Sequence, residues 1–315
     1  MKINMSQRLK LIIPLLLFAI TIGFAFESDL DGVALSLLAL FAFIFYFAIL
    51  RKEAGDGEAE EDSLQYSSTT TEAPKEPLLV YYGDALNFSD EEIITVLEKH
   101  FPYYPKLSQL EKAKFIERAQ LFIADKIFKI HCNPGFKEMP ILISAAAVQL
   151  TFGLKKYLLP NFTFIHVYPE EFLGVHPSIR VLEGNVSGHA INLSWKHFLE
   201  GYRNPANGQN VGLHELAHAL YYQTFIVEEN VDRNFRDTFD GFSEYGNKVF
   251  EQEKLPGNDL YSEYALKNFQ EFWAESIEIF FEKPWQLKNT YPSLYAAIAA
   301  LLNQDPSITT PLLES

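Results

Sequence analysis

The residues best suited to chemistry in this 315-residue chain are His214-Glu215-Leu216-Ala217-His218. Histidines at i and i+4 of a helix lie about 40° apart around its axis and one turn apart along it, so both imidazoles can meet one metal ion. Glu215 is rotated about 100° from His214, where its carboxylate reaches a metal-bound water and not the metal. That is the chemistry of hydrolysis by water activated on a divalent cation. Leu213, Leu216, Ala217 and Leu220 form an apolar stripe that anchors the helix and leaves both histidines on its other face.

A third ligand must come from elsewhere. Tyr221 and Thr224 stand where the short zinc-peptidase continuation requires Gly and His. The downstream acids are Asp240, Glu244 and the series Glu271, Glu275, Glu278 and Glu282. That series recurs at i, i+4, i+7 and i+11, so the four carboxylates share one helix face, opposite Phe269, Trp273, Ile277 and Phe280. An acidic face also serves plain solvation, and Asn268 followed by Glu271 fits a helix N-cap. Spacing alone leaves Glu271 and Asp240 both open.

The elements that must position these groups are legible in part. Ser89 with Glu92, and Ser108 with Glu111, are capping boxes, and apolar spacing then predicts helices near 90–100 and 109–129. Residues 141–154 read as a buried helix rich in alanine, with a strand the alternative there, and 162–168 as a strand ending at Pro169. Residues 179–182 and 189–193 flank Gly184-Asn185-Val186-Ser187-Gly188, which predicts a hairpin whose second strand, near 189–193, offers an edge to an extended peptide. Helices near 211–224, 268–282 and 292–303 follow. The expected fold is α+β: helix-dominated, with one small, mostly antiparallel sheet.

Charge and composition narrow the field. With 41 acidic against 26 basic side chains the chain lacks the electrostatic footprint of a nucleic-acid binder. Its one cysteine, Cys132, excludes an internal disulfide framework and a zinc site built from several thiolates.

The N-terminal part reads differently from the rest. Leu11 to Phe26 and Gly32 to Leu50 are charge-free apolar runs of 16 and 19 residues. At about 1.5 Å per residue they span roughly 24 and 28 Å, against a hydrocarbon core of about 30 Å, so residues 1–50 are expected to form a two-helix transmembrane hairpin inserted in the bilayer through 11–50. Lys2, Arg8 and Lys10 precede the first run and Arg51-Lys52 follow the second, while the connector carries Glu27, Asp29 and Asp31. Both basic clusters should stay in the cytoplasm, which makes this a two-span inner-membrane protein with its catalytic domain on the cytoplasmic side. A cleavable signal peptide ending near Gly23-Phe24-Ala25 is the competing reading, and the second run would still anchor the remainder. Residues 51–77 carry eight acids against three bases and no apolar periodicity, as an acidic disordered linker does. The catalytic domain is then 78–315.

Beyond the central motif, Asn192 to Trp195, Gly201 to Pro205, Gly208 to His218, Tyr264, Glu271 to Ala274, Glu278, Phe280 to Pro284, Tyr291 to Tyr295 and Gln304 to Pro306 resemble the Mlc titration factor A family of zinc-dependent peptidases. The catalytic site of that family is similar to that of anthrax lethal factor. The likeness covers most of 78–306, more weakly between Leu107 and Lys126. It implies a zincin-like domain of gluzincin type binding one Zn²⁺ per chain through His214, His218 and Glu271. Glu215 would be the general base, Tyr264 the hydroxyl that stabilises the transition state, and a peptide or protein the substrate. Because at least one family member sequesters a transcriptional repressor, the resemblance also implies an alternative, a membrane-tethered module that holds a cytoplasmic regulatory partner. Two departures stand out. Family members usually have Asp where this chain has Tyr221, which alters a contact behind the ligands, and the two apolar runs are additional to compact members.

Overall fold

The computed structural model describes residues 77–133, 137–174 and 180–309. Both apolar runs and nearly all of the expected linker lie outside the described residues. Among those described, no helix is long and apolar enough to cross a membrane.

The chain enters through strand β1 (Leu79–Tyr82), which leads to helices α1 (Asp90–His100) and α2 (Gln109–Asp125). Both helices start where the capping boxes predict, with Ser89 and Ser108 each exchanging hydrogen bonds with the glutamate three residues on. Residues expected to prolong α2 instead form β2 (Ile127–Ile130). Helix α3 (Glu138–Thr151) is buried from Met139 to Thr151, as a helix apolar on every side must be. Strands β3 (Phe164–Tyr168), β4 (Phe172–Gly174), β5 (Arg180–Leu182), β6 (Gly184–Ser187) and β7 (Ala190–Ser194) follow.

The five-stranded sheet has the order β1-β2-β3-β7-β6, with β4 and β5 pairing separately. Its inner pairs β2-β3 and β3-β7 are parallel and its outer pairs antiparallel, so the sheet is mixed and not mostly antiparallel as expected. The reason is topological: β2 and β3 are joined by a connection containing α3, the crossover that parallel neighbours require. The expected hairpin also moves by one strand. Residues 184–187, read as its loop, are strand β6, and the turn falls at Gly188, whose φ of +56° suits a residue without Cβ.

Helices α4 (Trp195–Arg203), α5 (Val211–Tyr222), α6 (Arg233–Glu253), α7 (Phe269–Glu282), α8 (Pro284–Thr290), α9 (Pro292–Leu302) and the short α10 (Pro306–Thr309) complete the domain. Alternate residues of the central strands, Phe128, Ile130, Ile165, Val167, Ile191 and Leu193, are fully buried on one sheet face. Helix α5 packs against β6, β7, α3 and α7. Leu213, Leu216, Ala217 and Leu220, the stripe read from the sequence, are buried there. That wedged position fixes the helix carrying the central motif.

Candidate metal centre

Asn210 caps α5, its side chain accepting from the Leu213 amide at 3.1 Å, so the helix begins one turn before His214. Asn268 caps α7 by accepting from Gln270 and Glu271 at 2.9 and 3.0 Å. The capping reading of Asn268 therefore holds, and the Glu271 side chain is turned elsewhere. The two helices are pinned at the motif itself, where the Trp273 indole donates to the Ala217 carbonyl at 2.9 Å.

This pinning brings His214, His218 and Glu271 together, with one ligand atom from each within 4.8 Å of the others. Glu271 Oε2 lies 3.0 Å from His214 Nε2 and 3.2 Å from His218 Nε2, and the two Nε2 atoms are 3.1 Å apart. Ligand atoms about 2.0–2.1 Å from a tetrahedral centre stand roughly 3.3–3.4 Å from one another, so the donor set fits one small divalent ion. Asp240 and Glu244 are exposed on α6 and take no part, Glu244 pairing with Lys248 at 2.8 Å.

Glu215 is 5% exposed, and its Oε2 has no hydrogen-bond partner in the protein. Its carboxyl lies against Gly184 of β6, where an added Cβ would meet Glu215 Oε1 at 2.7 Å. Burial pushes the Glu215 carboxyl up to about 7, against the pull of His214 and His218. A buried oxygen without a partner, beside a cluster of cation ligands, is what a base awaiting a water on that cation would show. Tyr264 is 48% exposed, its ring 6.3 Å from that of His214. Burial, then Glu271 and Glu215, push its hydroxyl up to about 12, so it remains a donor at neutral pH.

The other acids of the α7 face hold the site from behind. Glu278 Oε1 lies 2.7 Å from His214 Nδ1, and its second oxygen accepts from the Asn210 amide. Glu282 accepts from the Gly208 amide at 2.8 Å and from the Asn210 side chain at 3.0 Å. Glu275 accepts from the Ser262 amide at 2.6 Å, and the Ser262 hydroxyl in turn accepts from Ala265, so both flanks of Tyr264 are tied to α7. Burial opposes charge on both Glu271 and His214. The two imidazoles nevertheless hold Glu271 below the carboxylate range, and Glu278 with Glu271 raises His214 well above the histidine range.

The sequence assigned no role to Glu278, Asn210 or Gly184. Glu278 was visible as the third acid of the α7 face and as one of the positions matching the family, without a partner for its carboxylate. A cleft of about 280 Å³ opens over the cluster, lined by Glu215, Tyr264, Gly184, Asn185 and Val186 among others. The strand expected to offer its edge, now β7, is internal to the sheet; the edge beside the cleft is β6.

A family model described as glucose-regulated metallo-peptidase M90 matches residues 85–302. An uncharacterised protein of Synechocystis sp. is 26% identical over 233 residues, 68% of this chain and 84% of that protein.

Proposed function

This chain belongs to the M90 family of glucose-regulated metallopeptidases, the Mlc titration factor family, and from that premise we propose that it hydrolyses peptide bonds at the His214-His218-Glu271 cluster. The observation carrying the proposal is the convergence of those three side chains beside the buried Glu215, whose Oε2 has no hydrogen-bond partner. His214, His218 and Glu271 would hold one Zn²⁺, which suits a set of two imidazoles and a carboxylate. When bound, such an ion lowers the pKa of its water to about 7 and polarises the scissile carbonyl.

The residues of the chain do the rest. Glu215 takes a proton from the attacking water and hands it to the leaving amine. Tyr264, a hydroxyl still protonated at neutral pH, donates to the oxygen on which negative charge develops. Glu278 fixes the orientation of His214 through Nδ1, leaving Nε2 for the metal. The free edge of β6 aligns an extended peptide across the cleft by main-chain hydrogen bonds. Gly184 lets that edge approach Glu215.

Replacing Glu215 by Gln tests this division of labour. The Glu215→Gln protein is expected to keep one metal per chain by elemental analysis and to lose at least about 10²-fold in peptide turnover. Unchanged turnover removes Glu215 from the mechanism.

The same reading extends to the bilayer. The charge-free runs at 11–26 and 32–50, with basic residues at their outer ends, support a hairpin holding the peptidase on the cytoplasmic face of the inner membrane. The full chain should then stay with membranes through an alkaline wash, and protease added outside spheroplasts should spare residues 78–315. Release by the wash would remove the anchor.

A further inference from the structure

The helix carrying both histidines does not end as an α-helix. After Tyr222 it widens into a π-helical turn, Gln223–Val227. Such turns recur at functional sites because the extra residue resets which side chains face outwards. Here the inward side is locked. Gln223 Oε1 accepts from the Asn161 amide at 2.9 Å, and its amide nitrogen donates to the Glu229 carbonyl at 2.6 Å. The Thr224 hydroxyl donates to the Leu220 carbonyl at 2.8 Å, and Phe225 packs on Phe239 with ring centroids 4.6 Å apart.

With those groups anchored, Tyr222 and Ile226 stay turned outwards, 39% and 57% exposed. Both line the cleft that contains His214, Glu215 and Glu271. His218, Tyr222 and Ile226 follow one another at four-residue intervals, so this wall begins one turn beyond a metal ligand. Phe162 braces the Tyr222 ring edge-on at 5.8 Å. Leu182 and Val186 supply further apolar lining. Apart from Glu215 and the three clustered ligands, the described lining carries no carboxylate, imidazole, ammonium or guanidinium group.

We propose that this wall is the side-chain subsite of the peptidase and takes a large aliphatic or aromatic residue flanking the scissile bond. The proposal rests on the peptidase reading above. A peptide extended along β6 sends alternate side chains to the same side, so one of the two residues at the cut faces the π turn. An apolar side chain there removes its own surface, and that of Tyr222 and Ile226, from water. A carboxylate or ammonium would lose hydration with no counter-charge among Tyr222, Ile226, Leu182 and Val186, the Arg180 guanidinium two residues before Leu182 acting on the Tyr264 hydroxyl.

The test uses the full chain in detergent, loaded with zinc, and a mixed-sequence peptide library whose cut sites are sequenced. In parallel, Glu215→Gln protein captures the same library and the bound peptides are sequenced. Leu, Ile, Phe, Tyr or Met should exceed Asp, Glu, Lys and Arg about tenfold or more at one position flanking the cut. The captured pool should be enriched in the same residues. At the exposed Ile226, Ile226→Lys should move that position towards acidic residues and Ile226→Glu towards basic ones, with metal content per chain unchanged. A flat profile, a charged preference in the unaltered chain, or both variants moving the same way overturns the subsite. Absence of cutting by a metal-loaded chain overturns the peptidase reading instead, and the captured pool then decides. Apolar enrichment that Ile226→Lys abolishes supports the wall as a binding site, and unselective capture overturns it.

Discussion

Helix α6 displays Asp240, Glu244 and Glu251 to solvent, where Glu244 and Glu251 meet only nearby lysines of their own chain segment. Helix α7, packed against it, turns Glu271, Glu275, Glu278 and Glu282 onto three different parts of the site. The residue types are the same, and both helices bury an apolar stripe. What differs is the neighbour of the opposite face. On α6 that neighbour is water, which screens each carboxylate. On α7 it is the start of α5, the loop before it and the Ser262 segment, whose amides and imidazoles need acceptors. An acidic row acquires a function where a second element brings unpaired donors to it.

The largest effect that sharpens this contrast comes from Glu271, the residue proposed as third ligand. Glu271→Ala should weaken zinc binding more than about 100-fold, beyond the range seen for groups acting behind the ligands. Chelator competition reads this directly. Retention of full affinity would mean that the two helices do not differ in the way described.

Glu278 comes next. Glu278→Gln keeps the shape of the side chain but removes the charge facing His214 Nδ1, and zinc affinity should fall about 10–100-fold. pH separates this role from a structural one. Glu278 and Glu271 raise His214 well above the ordinary histidine range, so at neutral pH the metal must displace a proton from it. Affinity in the unaltered chain should therefore rise with pH, about tenfold per unit while one proton is displaced, until His214 is neutral without metal. Without Glu278 the His214 pKa falls, and the rise should level off at a lower pH. An unaltered pH profile would reduce Glu278 to a packing residue.

Glu275 should have a smaller effect, confined to turnover. Its carboxylate ties Ser262, and through it Ala265, to α7, bracketing Tyr264. Glu275→Ala should leave metal content unchanged and lower kcat about tenfold, since misplacing a catalytic group by about 1 Å costs up to 10²-fold. A kcat equal to that of the unaltered chain would show that the Tyr264 segment holds its place without α7.

The contrast also explains how much could be read in advance. The central motif, the α7 face and both capping boxes were legible because each is local, its partners lying within one or two turns of the same helix. Choosing Glu271 over Asp240 was not legible from spacing, since it depends on which helix packs against α5, and there the family resemblance made the choice. The role of Glu278 stayed hidden for the same reason: its partners, Asn210 and His214, are 68 and 64 residues away. The parallel centre of the sheet was missed because a four-residue strand such as Ile127–Ile130 is indistinguishable from a last helical turn until its neighbours are known. Helix α6 escaped notice altogether. Its buried stripe of Phe235, Phe239, Phe242, Gly246 and Val249 has helical spacing, but glycines and short polar residues that favour turns are interspersed along it.

Asp240→Ala probes the other half of the comparison and should do almost nothing. Asp240 is exposed on α6 and absent from the His214-His218-Glu271 cluster. Removing its charge leaves no buried donor unpaired, and alanine favours the helix interior over aspartate. Stability should change by no more than about 0.5 kcal/mol in either direction, with zinc affinity and kcat unaltered. A loss of zinc in Asp240→Ala comparable to that in Glu271→Ala would bring α6 into the site and cancel the distinction between the two acidic rows. Parity with the unaltered chain, measured beside the Glu271 and Glu278 variants under one chelator, would show that a row of carboxylates is inert until a neighbouring helix presents donors to it.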